Sequence, residues 1–180
     1  MYKLIIAVTL CLLSGISLAQ PNQLDVIGII PGVTPKHTVE SKQADYGYII
    51  GGYELMCVPA YIDNNVLGQF TCFTGEKSGS RDVAKEKFTL VTNLEVHETL
   101  LKGFTQKFGK PEKDYNLART TGFGVSYNTH TVEWRDKQGN KLVLMSMATK
   151  ISEGALMLIA AEKVPQDDQE KKQADEKREF

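Results

Sequence analysis

Charge of one sign is what this chain most lacks. Its 21 basic and 22 acidic residues leave a net charge of −1. The segment 20–164 carries 16 of each sign. A neutral body has no long-range field to gather phosphates, so nucleic acid is a poor partner. Histidine and cysteine are scarce, at three residues each. His37, His97 and His130 fall in separate segments with no H-x-x-x-H pair, and Glu98, next to His97, points to a different helix face. All three read as surface histidines, and no metal or other cofactor is implied. Nucleophile signatures are missing too. No G-x-S-x-G elbow exists, and Gly75-Glu76-Lys77-Ser78-Gly79 does not make one. No catalytic residue can be named.

Long apolar runs are missing except at the start. Lys3 precedes the run Leu4 to Leu13, and Ser17-Leu18-Ala19 places small residues at −3 and −1 of a cut before Gln20. These are the parts of a secretory signal over 1–19. Ten apolar residues rise about 15 Å as a helix, half of a roughly 30 Å hydrocarbon core. Cys11 is one more apolar residue of that run, since Leu10 precedes it and the run continues. The expected compartment is therefore periplasmic or extracellular, and the mature chain is expected to carry no transmembrane segment. Residues 165–180 are charged and nearly free of apolar side chains after Pro165. They read as a disordered tail, solvated or used for interaction. That leaves 20–164 as a single domain.

The pattern inside 20–164 predicts an α+β fold. Leu24 to Ile30 is a β-rich opening run, stopped by Pro31-Gly32. Thr34-Pro35 looks like the N-cap and first residue of a short helix carrying Val39 and Ala44. Tyr48 to Ile62 and Val66 to Thr74 are strand-like runs around Asp63-Asn64-Asn65, with Gly51-Gly52 marking a bend or bulge in the first. Thr92 and Glu95 form a capping box, closed by a Val91/Val96 staple. Val96, Leu100, Leu101, Phe104 and Phe108 then recur on one helical face, and Gly109 and Pro111 stop the helix. This predicts a helix over 93–108, with His97 and Glu98 toward solvent. Thr131 to Arg135 and Lys141 to Ala148 flank Asp136-Lys137-Gln138-Gly139, a type I turn, and Ala155 to Ala161 gives a last strand. Leu142 to Met145 and Ala155 to Ala161 are apolar at nearly every position, which predicts cover on both faces. The expected architecture is antiparallel meander sheets with one long and one short helix on one face.

Cys57 and Cys72 sit symmetrically about the Asn64/Asn65 midpoint, so a hairpin sets them opposite one another as one disulfide. One detail objects: in that register Pro59 falls at a hydrogen-bonding position, which a bulge or a longer loop would relieve. A redox pair lacks C-x-x-C, and a metal site lacks neighbouring histidine.

The segment Asp114 to His130 shows neither helical nor long-strand patterning. It carries Tyr115, Phe123 and Tyr127 around the flexible Thr121-Gly122-Phe123-Gly124. Aromatics on loops form protein-binding patches, and they also cover sheet ends. These three are the candidate binding residues.

Two stretches carry a family resemblance. Gly32-Val33-Thr34-Pro35 to Val39 resembles the G-M-T-x-x-x-V helix start of the small outer-membrane-assembly lipoproteins of the SmpA/BamE type. Val96 to Leu101 and Lys107-Phe108-Gly109-Lys110-Pro111 are similar to the L…K-F-G-x-P helix end there, followed by a strand with Trp, as Val132-Glu133-Trp134 is here. A helix-plus-meander unit used twice would resemble the β-lactamase-inhibitor-protein arrangement. The lipid-modified cysteine of those lipoproteins is missing here. The resemblance implies a non-catalytic protein-binding module whose partner is another exported or envelope protein. The contrasting expectation is a small secreted hydrolase, which would show a pocket where a histidine and a carboxylate or hydroxyl converge.

Overall fold

The computed structural model describes residues 20–76, 79–85, 89–148 and 151–161, so the readings for segments 1–19 and 165–180 lie outside the described residues. The fold is α+β with two antiparallel sheets. In chain order come α1 (Lys36–Glu40), β1 (Tyr48–Ile50), β2 (Tyr53–Leu55), β3 (Cys57–Ile62), β4 (Val66–Thr74), β5 (Arg81–Asp82), α2 (Asn93–Phe108), β6 (Lys113–Thr120), β7 (Ser126–Arg135), β8 (Lys141–Met145) and β9 (Gly154–Ile159). The main sheet runs β3-β4-β9-β8-β7-β6, and the small one β1-β2-β5.

Helix α2 begins and ends where its caps predict. The Thr92 hydroxyl accepts the Glu95 amide at 3.2 Å, and Gly109 closes the helix at φ 82°, a value that favours glycine. Val96, Leu100, Phe104 and Phe108 are buried, together with Val91 of the staple. They join Trp134, Leu142, Leu144, Leu156 and Leu158 in one core, with the Phe104 and Trp134 rings 6.0 Å apart. Register places Trp134, Leu142, Leu158 and Phe70 on this helix-bearing face. The other face is less evenly covered: Val143 and Ala155 are buried, Met145 and Met157 half-buried, and Val58 is exposed.

Four expectations are corrected. His97 does not face solvent: it is 3% exposed, packed with the core face of α2. Leu24 to Ile30 is not a strand, because Ile27 (φ 53°) and Gly28 (φ 73°) turn it back so that Val26 and Ile29 exchange both backbone hydrogen bonds. Thr34 is not the cap of α1, since its hydroxyl accepts the Ile30 amide at 2.8 Å and Pro35 takes the cap position. The run 48–62 splits at Gly51-Gly52 and again after Leu55, feeding both sheets.

The Asp136 turn forms as expected, with the Gly139 amide bonded to the Asp136 carbonyl. Its buried carboxylate also accepts amides from Leu24, Gln138 and Asn140, tying the start of the domain to the β7–β8 turn.

Cys57 and Cys72 are cross-strand partners joined by a disulfide, with Cα atoms 4.0 Å apart. That separation marks a non-hydrogen-bonded pair, consistent with the Phe73 amide donating to Met56 one step away. By alternation Pro59, opposite Phe70, is also non-hydrogen-bonded. Its missing N–H then faces the free edge of β3, so the objection to the register disappears. The register shift falls later, at Ala60/Tyr61.

Candidate binding hairpin and a buried histidine relay

Segment Asp114 to His130 is not a loop. It is most of a long antiparallel hairpin, β6–β7, paired from Lys113↔Glu133 to Thr120↔Ser126. Every residue of β6 is exposed, which erases the alternation that marks a half-buried strand. Thr121 holds the turn through two contacts: its backbone amide bonds the Val125 carbonyl and its hydroxyl accepts the Val125 amide.

The three candidate residues share this hairpin but do not form one patch. Phe123 projects from the tip and is 97% exposed. Tyr115, at the other end of β6, donates its hydroxyl to Glu133 at 2.7 Å. That bond to a carboxylate acceptor pushes its pKa up. Tyr127 is half-buried and donates to the Ala148 carbonyl at 2.9 Å, so it fastens the hairpin to the loop after β8. Tyr127 thus makes an anchoring contact, while Phe123, Val125 and Leu117 supply exposed apolar surface.

The hairpin is also pinned to α2 by a set of residues that sequence reading treated as unrelated. Asp114 Oδ1 lies 2.7 Å from His130 Nε2, and His130 Nδ1 lies 3.0 Å from His97 Nε2. The carboxylate can only accept, so a neutral His130 carries its proton on Nε2 and accepts from His97 at Nδ1. The relay runs inward from exposed Asp114 through half-buried His130 to buried His97. His97 Nδ1 ends it without a partner among the described residues. Burial, then the neighbouring His130, pull the His97 pKa down to about 4, against a smaller opposing pull from Asp114. The same corner is held by Asn93, whose amide donates to the Ser146 carbonyl, and by Ser146, whose hydroxyl accepts the His130 amide. A signal existed for His97: it lies four residues after Asn93 and three before Leu100, on the stripe that reaches Phe104 and Phe108.

Among the described residues no group of three or more histidine, cysteine, aspartate or glutamate side chains could hold a metal ion, and no helix is long and apolar enough to cross a membrane. Scanned against known protein families, curated proteins and solved structures, the chain matches none.

Proposed function

We propose that this protein is an exported, non-catalytic binding module that acts on another envelope or secreted protein, as an inhibitor, immunity-type factor or assembly accessory. The resemblance to SmpA/BamE-type modules points the same way. The observation that carries the reading is Phe123, an aromatic 97% exposed at the tip of a well-anchored hairpin. Large apolar side chains in that setting are anchors for a partner's pocket. The relay and the Tyr127 contact hold the hairpin in place before any partner arrives, which lowers the ordering cost of association.

The hydrolase alternative draws on the His130–Asp114 pair, which has the spacing of a base and its orienting carboxylate. Both His130 nitrogens are engaged, however, by Asp114 and by His97. The remaining imidazole nitrogen belongs to a residue 3% exposed, beyond a substrate's reach. This favours an anchoring role for the relay.

The test is a photo-crosslinking residue placed at Phe123 and, as a control, at exposed Lys137 in cells producing the full chain. A discrete adduct with a foreign protein from position 123 alone is the expected result. Equal or no labelling at the two positions rejects the reading.

A further inference from the structure

Among the described residues the main sheet ends in two unpaired edges, β3 and β6, and they are built differently. β3 carries Pro59 facing outward and a register shift, both of which spoil an edge for pairing. β6 has neither: eight residues, all exposed, without proline and with an unbroken register. The Ser146 amide bonds the His130 carbonyl, so His130 points its backbone toward β8, and Thr129 and Thr131 point theirs toward β6. Their partners Leu117 and Tyr115 therefore use their backbone groups on β7. Asp114, Asn116, Ala118 and Thr120 turn theirs to the open edge, and these four are symmetric about Leu117.

We propose that β6 pairs antiparallel with β6 of a second copy of this chain, about a two-fold axis at Leu117. In that register Asp114 faces Thr120 of the second copy and Asn116 faces Ala118, both as hydrogen-bonded pairs. Leu117 meets its own counterpart. Tyr115, whose hydroxyl is held by Glu133, faces Arg119, a cation against an aromatic ring. No like charges face one another. Moving the axis to Asn116 sets Lys113 against Arg119, a repulsive pair, and moving it to Ala118 shortens the overlap.

The inference rests on the hairpin being the binding element and names a second copy as one of its partners.

The experiment uses the full chain with Cys11→Ser. Wild type is expected to sediment as a dimer, and Leu117→Cys to give a covalent dimer on mild oxidation, while Arg119→Cys does not. Ala118→Pro removes an outward-facing N–H from the edge, so it should yield a monomer that keeps the wild-type circular dichroism spectrum and whose melting midpoint, unlike that of wild type, does not rise with protein concentration. A monomer at every concentration, or Arg119→Cys linking as fast as Leu117→Cys, overturns the proposal. The two readings separate at position 123. A foreign adduct from monomeric wild type leaves the binding-module reading standing and self-pairing rejected. A dimer linked through Leu117→Cys without a foreign adduct from position 123 supports self-pairing and rejects the foreign partner.

Discussion

His97 Nε2 lies 3.0 Å from His130 Nδ1, a polar contact that joins the first half of helix α2 to the β6–β7 hairpin, as Phe104 and Trp134 join the second. The two residues are 33 positions apart, and the rings meet edge to face with centroids 5.1 Å apart. The contact spans dry and wet environments: His97 is enclosed by the core, while His130 reaches Asp114 at the surface. Protonation at the dry end is therefore costly, and the hairpin anchor inherits that sensitivity.

The folded chain keeps His97 neutral down to about pH 4, whereas an unfolded histidine titrates near 6.5. Between those values the unfolded chain binds a proton that the folded chain refuses. The contribution is fully present above about pH 6.5 and drains away as the pH falls toward 4, by about 3 kcal/mol in all. His97→Leu removes the titration, so its stability should fall less than that of wild type between pH 7 and pH 4.5, by about 2 kcal/mol. Urea unfolding at both pH values measures the difference. Parallel losses in the two proteins would mean that His97 is solvated.

How much of this could be read from the chain divides by burial. α2 was legible because Thr92, Glu95 and Gly109 are local signals and its apolar face repeats over four turns. The disulfide followed from symmetry about the Asn64/Asn65 turn, and Pro59 looked awkward only because the ladder's phase was unknown. β6 was illegible for a physical reason: a strand exposed on both faces carries no period-2 pattern, so Tyr115 read as a loop residue, while Phe123 does lie in the hairpin turn. The relay was hidden by topology, since Asp114, His130 and His97 converge only once the hairpin folds beside the helix. His97 was read as facing solvent, although its spacing with Asn93, Leu100 and Phe104 lies on the arc that the structure buries.

Within α2, packing should outweigh capping. Phe104 is 7% exposed and contacts the rings of Trp134 and Phe108, so Phe104→Ala should cost about 3–5 kcal/mol through lost transfer energy and the cavity left behind. Thr92→Ala loses one capping bond and should cost about 1 kcal/mol. Denaturant melts of both variants at pH 7 rank them. Equal costs would place Phe104 in solvent and undo the packing of the helix on the sheet.

The disulfide closes a span of 15 residues between an edge strand and a central one. A cross-link of that length restricts the unfolded chain by about 3 kcal/mol in the chain-entropy account. Replacing both cysteines with alanine should lower stability by about that amount, with the β3–β4 amides showing the largest gain in hydrogen exchange. A reductant should destabilise wild type and leave the double variant unmoved. Equal sensitivity of the two would show that the cysteines are not paired in the folded protein.

The small sheet depends on one buried charge. Glu54 on β2 is 1% exposed, and its carboxylate pairs with Arg81 of β5 while accepting the amides of Tyr46 at 2.7 Å and Gly47 at 3.2 Å. It thus ties both neighbours of β2, the strand on one side and the approach to β1 on the other. A buried ion left without its partner is penalised more heavily than a pair is rewarded. Arg81→Leu leaves the buried carboxylate without its counter-charge, and Glu54→Leu leaves the more exposed guanidinium and also the Tyr46 and Gly47 amides without their acceptor. Each single variant should therefore lose about 3 kcal/mol. The double replacement should cost clearly less than the sum of the singles, because neither charge remains to be stranded. Chemical denaturation of the four proteins closes the cycle. Additive losses would mean that the two groups do not share their burial, leaving the amides of Tyr46 and Gly47 as the only anchor of Glu54.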